Sequence, residues 1–412
     1  MSKRIVSGEG IAVATLPAWQ ATGLALAVVG SHVLNGSGVL VYGLLSAGVI
    51  WALHRLHADA PQSRSTADLI GSVLGSASAR VLSVIQFVAY VLIGAYAAKS
   101  IGFLTLSLTP DPVAASTSWL WAATSVAAVG GAAVVAAALP TRVLAPVVTV
   151  LTGFGLLVFF YVALAVVAKV ASGTAPIEIG TSTTSSEWGP VGIVIPLAIA
   201  VVGLEIPTAA SDRLKSVGRP LGWAMAVVAL CAVTAWVAAN MGTSGSFRYD
   251  GGDLVWISGT MFGESNSLLL LAASAALTSA ALLVLMWGAM RVAPAPVPHH
   301  TTGMLVVAVM MTLLTVAMCR GWGDASAKLW GVGAILLLVV YVLASRANSS
   351  LNDADTTAWA LFALVCVVLA VAVFMQGALD GWWSVGIAAA IVGVAAALAT
   401  KTYRVSRGNR KA

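Results

Sequence analysis

Residues 144–170 read LAPVVTVLTGFGLLVFFYVALAVVAKV, an apolar run whose single charged residue is Lys169. A bilayer core about 30 Å thick is crossed by about 20 helical residues, so this run is long enough to span it. Inside lipid, backbone N–H and C=O groups must be paired within a helix or a closed barrel. A barrel strand would alternate apolar and polar residues over about ten positions. The continuous run therefore predicts a transmembrane helix.

Further apolar segments of similar length lie on both sides of this run. The chain of 412 residues is 59% hydrophobic and 9% charged, whereas soluble domains carry about 25% charged residues. We therefore predict an all-α polytopic membrane protein with about 12 transmembrane helices and no separate soluble domain. The predicted segments are 16–34, 38–56, 81–108, 119–139, 144–170, 191–209, 221–241, 268–292, 303–319, 329–345, 359–375 and 382–400.

The net charge of +6 is explained by membrane topology rather than by nucleic acid, because the basic residues lie in short turns between apolar runs. With twelve spans, all but five of the 21 lysines and arginines fall on one side. The positive-inside rule makes that side the cytoplasm, and both termini are predicted to lie there. The basic tail 401–412 either contacts anionic lipid or is a plain stop signal. The five exceptions are Lys99, Lys169, Arg248, Arg320 and Lys328.

The first interruption of the apolar pattern is residues 30–38, GSHVLNGSG. Glycine and polar residues at this density are costly at membrane depth and favour an unwound helix. The freed amides at the start of a half-helix can bind an anion such as a substrate carboxylate. Close helix packing through small residues is the alternative. The candidate substrate-binding residues here are Ser31, Asn35, Gly36, Ser37 and Gly38, and His32 is a candidate for coupling or for support of the helix break.

The second interruption is residues 200–207, AVVGLEIP. Glu205 is an ionisable residue in an apolar segment, which costs at least about 2.5 kcal/mol and indicates a functional site. Pro207 lacks a backbone donor and so frees a carbonyl in the preceding turn. A structural acid that hydrogen-bonds to the broken helix end is the alternative reading. Both readings imply a helix break at this position.

The two interruptions fall in the first and sixth predicted spans. A break that recurs five spans later, with opposite membrane orientation, is typical of an inverted-repeat transporter whose site lies near the bilayer midplane. The sequence therefore predicts a binding site between residues 30–38 and residues 200–207.

At these positions the chain resembles the amino acid–polyamine–organocation (APC) superfamily. The run Gly36-Ser37-Gly38 is similar to that superfamily's first-span signature. The run Gly203-Leu204-Glu205 resembles its sixth-span signature. Residues 212–220 resemble the charged cap that follows that signature, and residues 60–75 resemble the loop between the second and third spans. The Gly-Leu-Glu form is closest in look to the branch that exports methionine and branched-chain amino acids.

The resemblance implies a LeuT-type fold of five-plus-five inverted repeats. The first repeat would be residues 1–170, the second 190–345, and two extra spans would follow in 357–400 before the tail. The region of the first and second spans is shorter than is usual in the family. The amides of Gly36, Ser37 and Gly38 would bind an amino acid carboxylate. The backbone carbonyls of Val202, Gly203 and Leu204 would bind the amine. Glu205 would brace the break or take part in proton coupling.

Other residues carry weaker signals. Tyr90 and Tyr96 in the third span either gate the pocket or pack against lipid and core. Thr149 and Thr152 either offer oxygens to a coupling cation or bond back to their own helix. The segment 254–263 is either a re-entrant helix or an extracellular loop. The loop histidines His54, His57, His299 and His300 and the separated cysteines Cys231, Cys319 and Cys366 predict no metal site or disulfide.

We therefore expect secondary active transport of neutral, aliphatic amino acids across the plasma membrane by alternating access, not an enzyme. The expected partners are the amino acid substrate and the lipid bilayer, with no cofactor beyond a possible coupling proton or cation. The oligomeric state is open. A non-transporting, transporter-like scaffold or subunit is the alternative, because the region of the first two spans is short.

Overall fold

A computed structural model describes residues 16–32, 39–63, 65–106, 119–172, 203–214, 216–242, 264–293, 300–320, 325–351 and 356–379. These residues form eleven α-helices and one 3-10 helix, and no strand occurs among them. The α-helices are α1 Ala18–His32, α2 Val39–Asp59, α3 Thr66–Leu74, α4 Ser76–Leu106, α5 Trp119–Ala138, α6 Thr141–Ala171, α7 Gly218–Gly242, α8 Glu264–Val292, α9 His300–Arg320, α10 Ala325–Leu351 and α11 Thr356–Leu379. The 3-10 helix, Ile206–Arg213, lies between α6 and α7.

Six of these helices are long and apolar enough to cross a membrane. Their spanning segments are Ser76–Leu106, Trp119–Ala138, Thr141–Lys169, Leu268–Val292, Thr302–Arg320 and Gly331–Leu351. A helix rises 1.5 Å per residue, so 20 residues cover about 30 Å. The prediction of a helical, multi-pass membrane protein is confirmed by these helices.

The helices form an inner and an outer group. In α4 and α10, 67% of the most apolar window is buried inside the protein, compared with 28% in α5 and 33% in α9. α4 packs against α8, α10 and α5, and α10 also packs against α11. Apolar side chains on the outer helices remain exposed, among them Leu157 and Leu313, as expected for surfaces that face lipid. The two inner helices therefore line the centre of the molecule.

Close approach of α1 to α6 depends on a glycine. A Cβ atom added to Gly23 on α1 would lie 1.9 Å from the Oγ1 atom of Thr149 on α6. The Thr149 hydroxyl donates to the Ala145 carbonyl of its own helix at 2.7 Å, which is the intrahelical alternative raised by the sequence. Small residues allow helix axes to approach in this way.

Two elements differ from their sequence-based description. Residues 66–74, which were expected to lie in a loop, form helix α3, with Leu69 and Ile70 buried against α4. The end of the predicted segment 191–209 is a turn followed by the 3-10 helix. The rest of that segment, the twelfth predicted segment 382–400, the tail and the segment 254–263 lie outside the described residues.

Helix α3 begins at an N-cap that can be tested. The Ser65 hydroxyl accepts a hydrogen bond from the Asp68 amide at 3.1 Å, and losing such a cap costs about 1 kcal/mol. We expect Ser65→Ala to lower the free energy of unfolding in detergent micelles by that amount. The matched control is Ser72→Ala in the same helix, whose hydroxyl donates to the Leu69 carbonyl. A loss at Ser72 equal to the loss at Ser65 would contradict the capping role.

Candidate functional site

Glu205 lies at the centre of a buried polar cluster. It precedes the 3-10 helix, and its side chain has no exposed surface. The Gly203 amide donates to its Oε2 atom at 3.1 Å, and the Tyr341 hydroxyl on α10 donates to the same atom. These bonds connect the break at residues 203–208 to α10, one of the two inner helices. The Gly203 amide and the Tyr341 hydroxyl thus have the acceptor that buried donors require.

A second phenol faces the same carboxyl from the other inner helix. The Tyr90 hydroxyl lies beside Glu205 and accepts a hydrogen bond from Gln86 Nε2 at 2.9 Å. Gln86 and Tyr90 are four residues apart and therefore share one face of α4. Gly288 on α8 lets the ring approach, since a Cβ there would lie 3.2 Å from Tyr90 Cε2. The cluster therefore joins α4, α10 and the break.

The two carboxyl oxygens of Glu205 differ in their hydrogen bonds. Glu205 Oε1 is buried and takes no hydrogen bond from the described residues. A buried acceptor without a donor is costly unless a water, an ion or a ligand fills the place. The carboxyl therefore holds the break through its Oε2 atom, and its Oε1 atom has the capacity to accept a further hydrogen bond.

The backbone of the break follows 3-10 geometry, and one N–H donor of that pattern is missing. The Ile206 amide donates to the Gly203 carbonyl at 3.1 Å, and the Thr208 amide donates to the Glu205 carbonyl at 2.9 Å. In the same pattern the Leu204 carbonyl would accept from residue 207, but Pro207 has no N–H. The carbonyl freed by the proline is thus that of Leu204. Gly203 itself has φ +98°, a left-handed conformation that favours glycine.

The structure brings together some of the predicted residues and not others. Gly203, Leu204, Glu205 and Tyr90 meet in one cluster, and all four are buried. Tyr96 is partly buried, and six residues separate it from Tyr90, so the two do not share a face of α4. Ser31 and His32 are the last two residues of α1. Asn35, Gly36, Ser37, Gly38 and Val202 lie outside the described residues.

Sequence reasoning missed two members of this cluster, Tyr341 and Gln86. Gln86 carries a usable signal, because an amide four residues before a tyrosine in an apolar span places two polar groups on one face. Tyr341 carries no such signal in the sequence, since a lone tyrosine near the end of an apolar run is also typical of a membrane-interface anchor. Its contact with Glu205 crosses 136 residues of sequence.

Thr152 differs from Thr149. Its Oγ1 atom is buried and has no hydrogen-bond partner among the described residues. One hydroxyl oxygen does not make a cation site, because hard cations take six or more oxygen ligands. Among the described residues, no group of three or more His, Cys, Asp or Glu side chains could hold a metal ion.

No family model matches the chain, and no curated protein is significantly similar to it.

Proposed function

We propose that the chain is a secondary active transporter of neutral, aliphatic amino acids that works by alternating access across the plasma membrane. The observation that carries the proposal is the break at residues 203–208, where a buried carboxyl and a donor-deficient carbonyl meet beside two inner helices. Transporters with discontinuous helices bind substrate and coupling ions at such breaks.

The proposed site binds the substrate's ammonium group at the break. The Leu204 carbonyl lacks its intrahelical donor, and Glu205 Oε1 has no donor among the described residues, so both suit an N–H group. The substrate carboxylate would bind to amides at residues 36–38. Glu205 would also be the place for a coupling proton. A zwitterion would then be held at both ends, leaving its side chain to apolar surroundings.

We propose a LeuT-type fold of about twelve spans, with membership of the APC superfamily and both termini in the cytoplasm. Five α-helices of 15 residues or more precede residue 172, which matches the number in one complete repeat. Three of these five helices, α4, α5 and α6, are long and apolar enough to cross a membrane. A first repeat that lacked one helix would instead favour the scaffold alternative. Alternation would come from rocking of the helices around the break against the rest of the protein.

The direct test is transport by purified protein in liposomes. We expect saturable uptake of radiolabelled leucine or methionine, at least tenfold above that of protein-free liposomes, with inhibition by unlabelled aliphatic amino acids. In detergent, a bound substrate at 100 times its Kd should stabilise the fold by about 2.7 kcal/mol through mass action. Folded protein that neither transports nor is stabilised by any zwitterionic amino acid would contradict the proposal.

A further inference from the structure

The segment that follows the break contacts the α2–α3 region at three points. The Thr66 and Thr208 hydroxyl oxygens are 2.5 Å apart, and both side chains are buried. His57 is 4% exposed and lies against the Leu214 backbone. A Cβ on Gly218 would lie 2.9 Å from the ring of His54. We call these three contacts the α2–α3 seam.

The direction of the threonine hydrogen bond follows from proton counting. The Thr208 hydroxyl donates to the Glu205 carbonyl at 2.5 Å, and a hydroxyl has one proton to give. Thr66 is therefore the donor to Thr208. A chain of bonds leads from α3 through Thr66 and Thr208 to the backbone of Glu205, and from the Glu205 carboxyl to Tyr341 on α10.

Residues 203–208 can move away from α3 while their internal hydrogen bonds stay intact. Its bonds between Gly203 and Ile206, Glu205 and Thr208, and Gly203 and the Glu205 carboxyl all lie within residues 203–208. None of these bonds involves Thr66, so they remain when Thr66 separates from Thr208. Separating one neutral hydroxyl pair costs only about 0.5–1.5 kcal/mol.

Helix α3, in contrast, is fixed to α4. Leu69 and Ile70 are fully buried. A Cβ on Gly71 would lie 2.4 Å from the Cβ of Ala79 on α4, so the two backbones are in close contact. Moving α3 away would expose these apolar groups, at about 25 cal/mol per Å². The weakest junction is therefore the seam and not the attachment of α3.

The buried His57 contributes no charge to the seam near neutral pH. Burial lowers the pKa of the His57 imidazole below its usual value, the hydrogen bond to the Leu214 backbone opposes this effect, and nearby His54 adds to the lowering. His57 is therefore mainly neutral at pH 7. Neutral contacts can part without separating an ion pair.

We propose that the α2–α3 seam is a latch that closes the break toward the membrane side on which α2 ends, and that it parts in every transport cycle. The inference rests on the proposed function, since alternating access requires contacts around the site to open on each side in turn. All side chains of residues 203–209 are buried, so the break is closed in the present conformation and some neighbour must move to admit substrate.

The test is a disulfide between Thr66→Cys and Thr208→Cys in a background with the native cysteines replaced by alanine. We expect the oxidised double variant to lose at least tenfold of leucine uptake and to regain it when the disulfide is reduced. The control is Thr66→Cys alone under the same oxidation. Undiminished uptake with the disulfide formed, or failure of the two cysteines to pair, would overturn the latch.

A second measurement needs no transport. Loss of the threonine bond in Thr66→Val should increase hydrogen exchange of amides in residues 206–213 about fivefold, from about 1 kcal/mol of lost stability. The control Thr105→Val removes an exposed hydroxyl that bonds back to Ile101 and should change nothing in that segment. Unchanged exchange in Thr66→Val would overturn the latch. If the parent protein transports no amino acid, the proposed function fails and the latch fails with it, whereas a transporting parent whose oxidised double variant keeps its uptake overturns the latch alone.

Discussion

Replacing Glu205 with alanine should lower the free energy of unfolding by about 3 kcal/mol and abolish transport. The substitution leaves the Tyr341 hydroxyl and the Gly203 amide buried without their acceptor, and each buried unsatisfied donor costs about 1–3 kcal/mol. A small cavity adds to the loss. The measurement is unfolding of the purified protein by SDS in mixed micelles, with liposome uptake as the second readout.

Glutamine is the matched control at this position. Glu205→Gln keeps the shape and one acceptor oxygen, so Tyr341 or the Gly203 amide can still donate, and we expect a loss of about 1 kcal/mol. Tyr341→Phe removes one donor and should cost a similar amount. Equal stability of the alanine and glutamine variants would show that the acceptor bonds do not hold the break.

The position of the break was predictable because its residues are costly where they stand. An acid in an apolar segment and a proline two residues later both conflict with a continuous membrane helix. The structure accordingly shows a turn and a 3-10 helix there. The identity of the freed carbonyl, that of Leu204, depends on the 3-10 register, which the sequence does not determine.

The partners of Glu205 were not predictable from one sequence. Tyr341 and Tyr90 reach the carboxyl from helices far from it in the chain, and an isolated tyrosine in a span is compatible with packing, gating or anchoring. Helix α3 was missed for a different reason. Its nine residues are shorter than a membrane span, so a search for long apolar runs passes over it even though Ser65 and Asp68 form a recognisable N-terminus.

Gly203→Ala should lower the free energy of unfolding by about 2 kcal/mol. Gly203 has φ +98°, and an L-residue with a Cβ pays roughly 1–2 kcal/mol in the left-handed region. Any relaxation toward negative φ would also turn the Gly203 amide away from Glu205 Oε2, which it now meets at 3.1 Å. The measurement is SDS unfolding as for Glu205, and leucine uptake should fall with the loss of the break geometry.

Alanine substitutions at two other glycines, Gly75 and Gly222, serve as controls for the causes of the loss at Gly203. Gly75 also has a positive φ, +94°, with nothing within 4 Å of an added Cβ, but its amide donates to the Gly71 carbonyl and not to a carboxylate. Gly222 in α7 has open space and no positive φ, so Gly222→Ala should stabilise the helix by about 0.5–1 kcal/mol. We expect a larger loss at Gly203 than at Gly75, because the amide–carboxyl bond adds to the backbone cost at Gly203. If Gly203→Ala behaves like Gly222→Ala, the positive φ and the hydrogen bond that depends on it are both wrong.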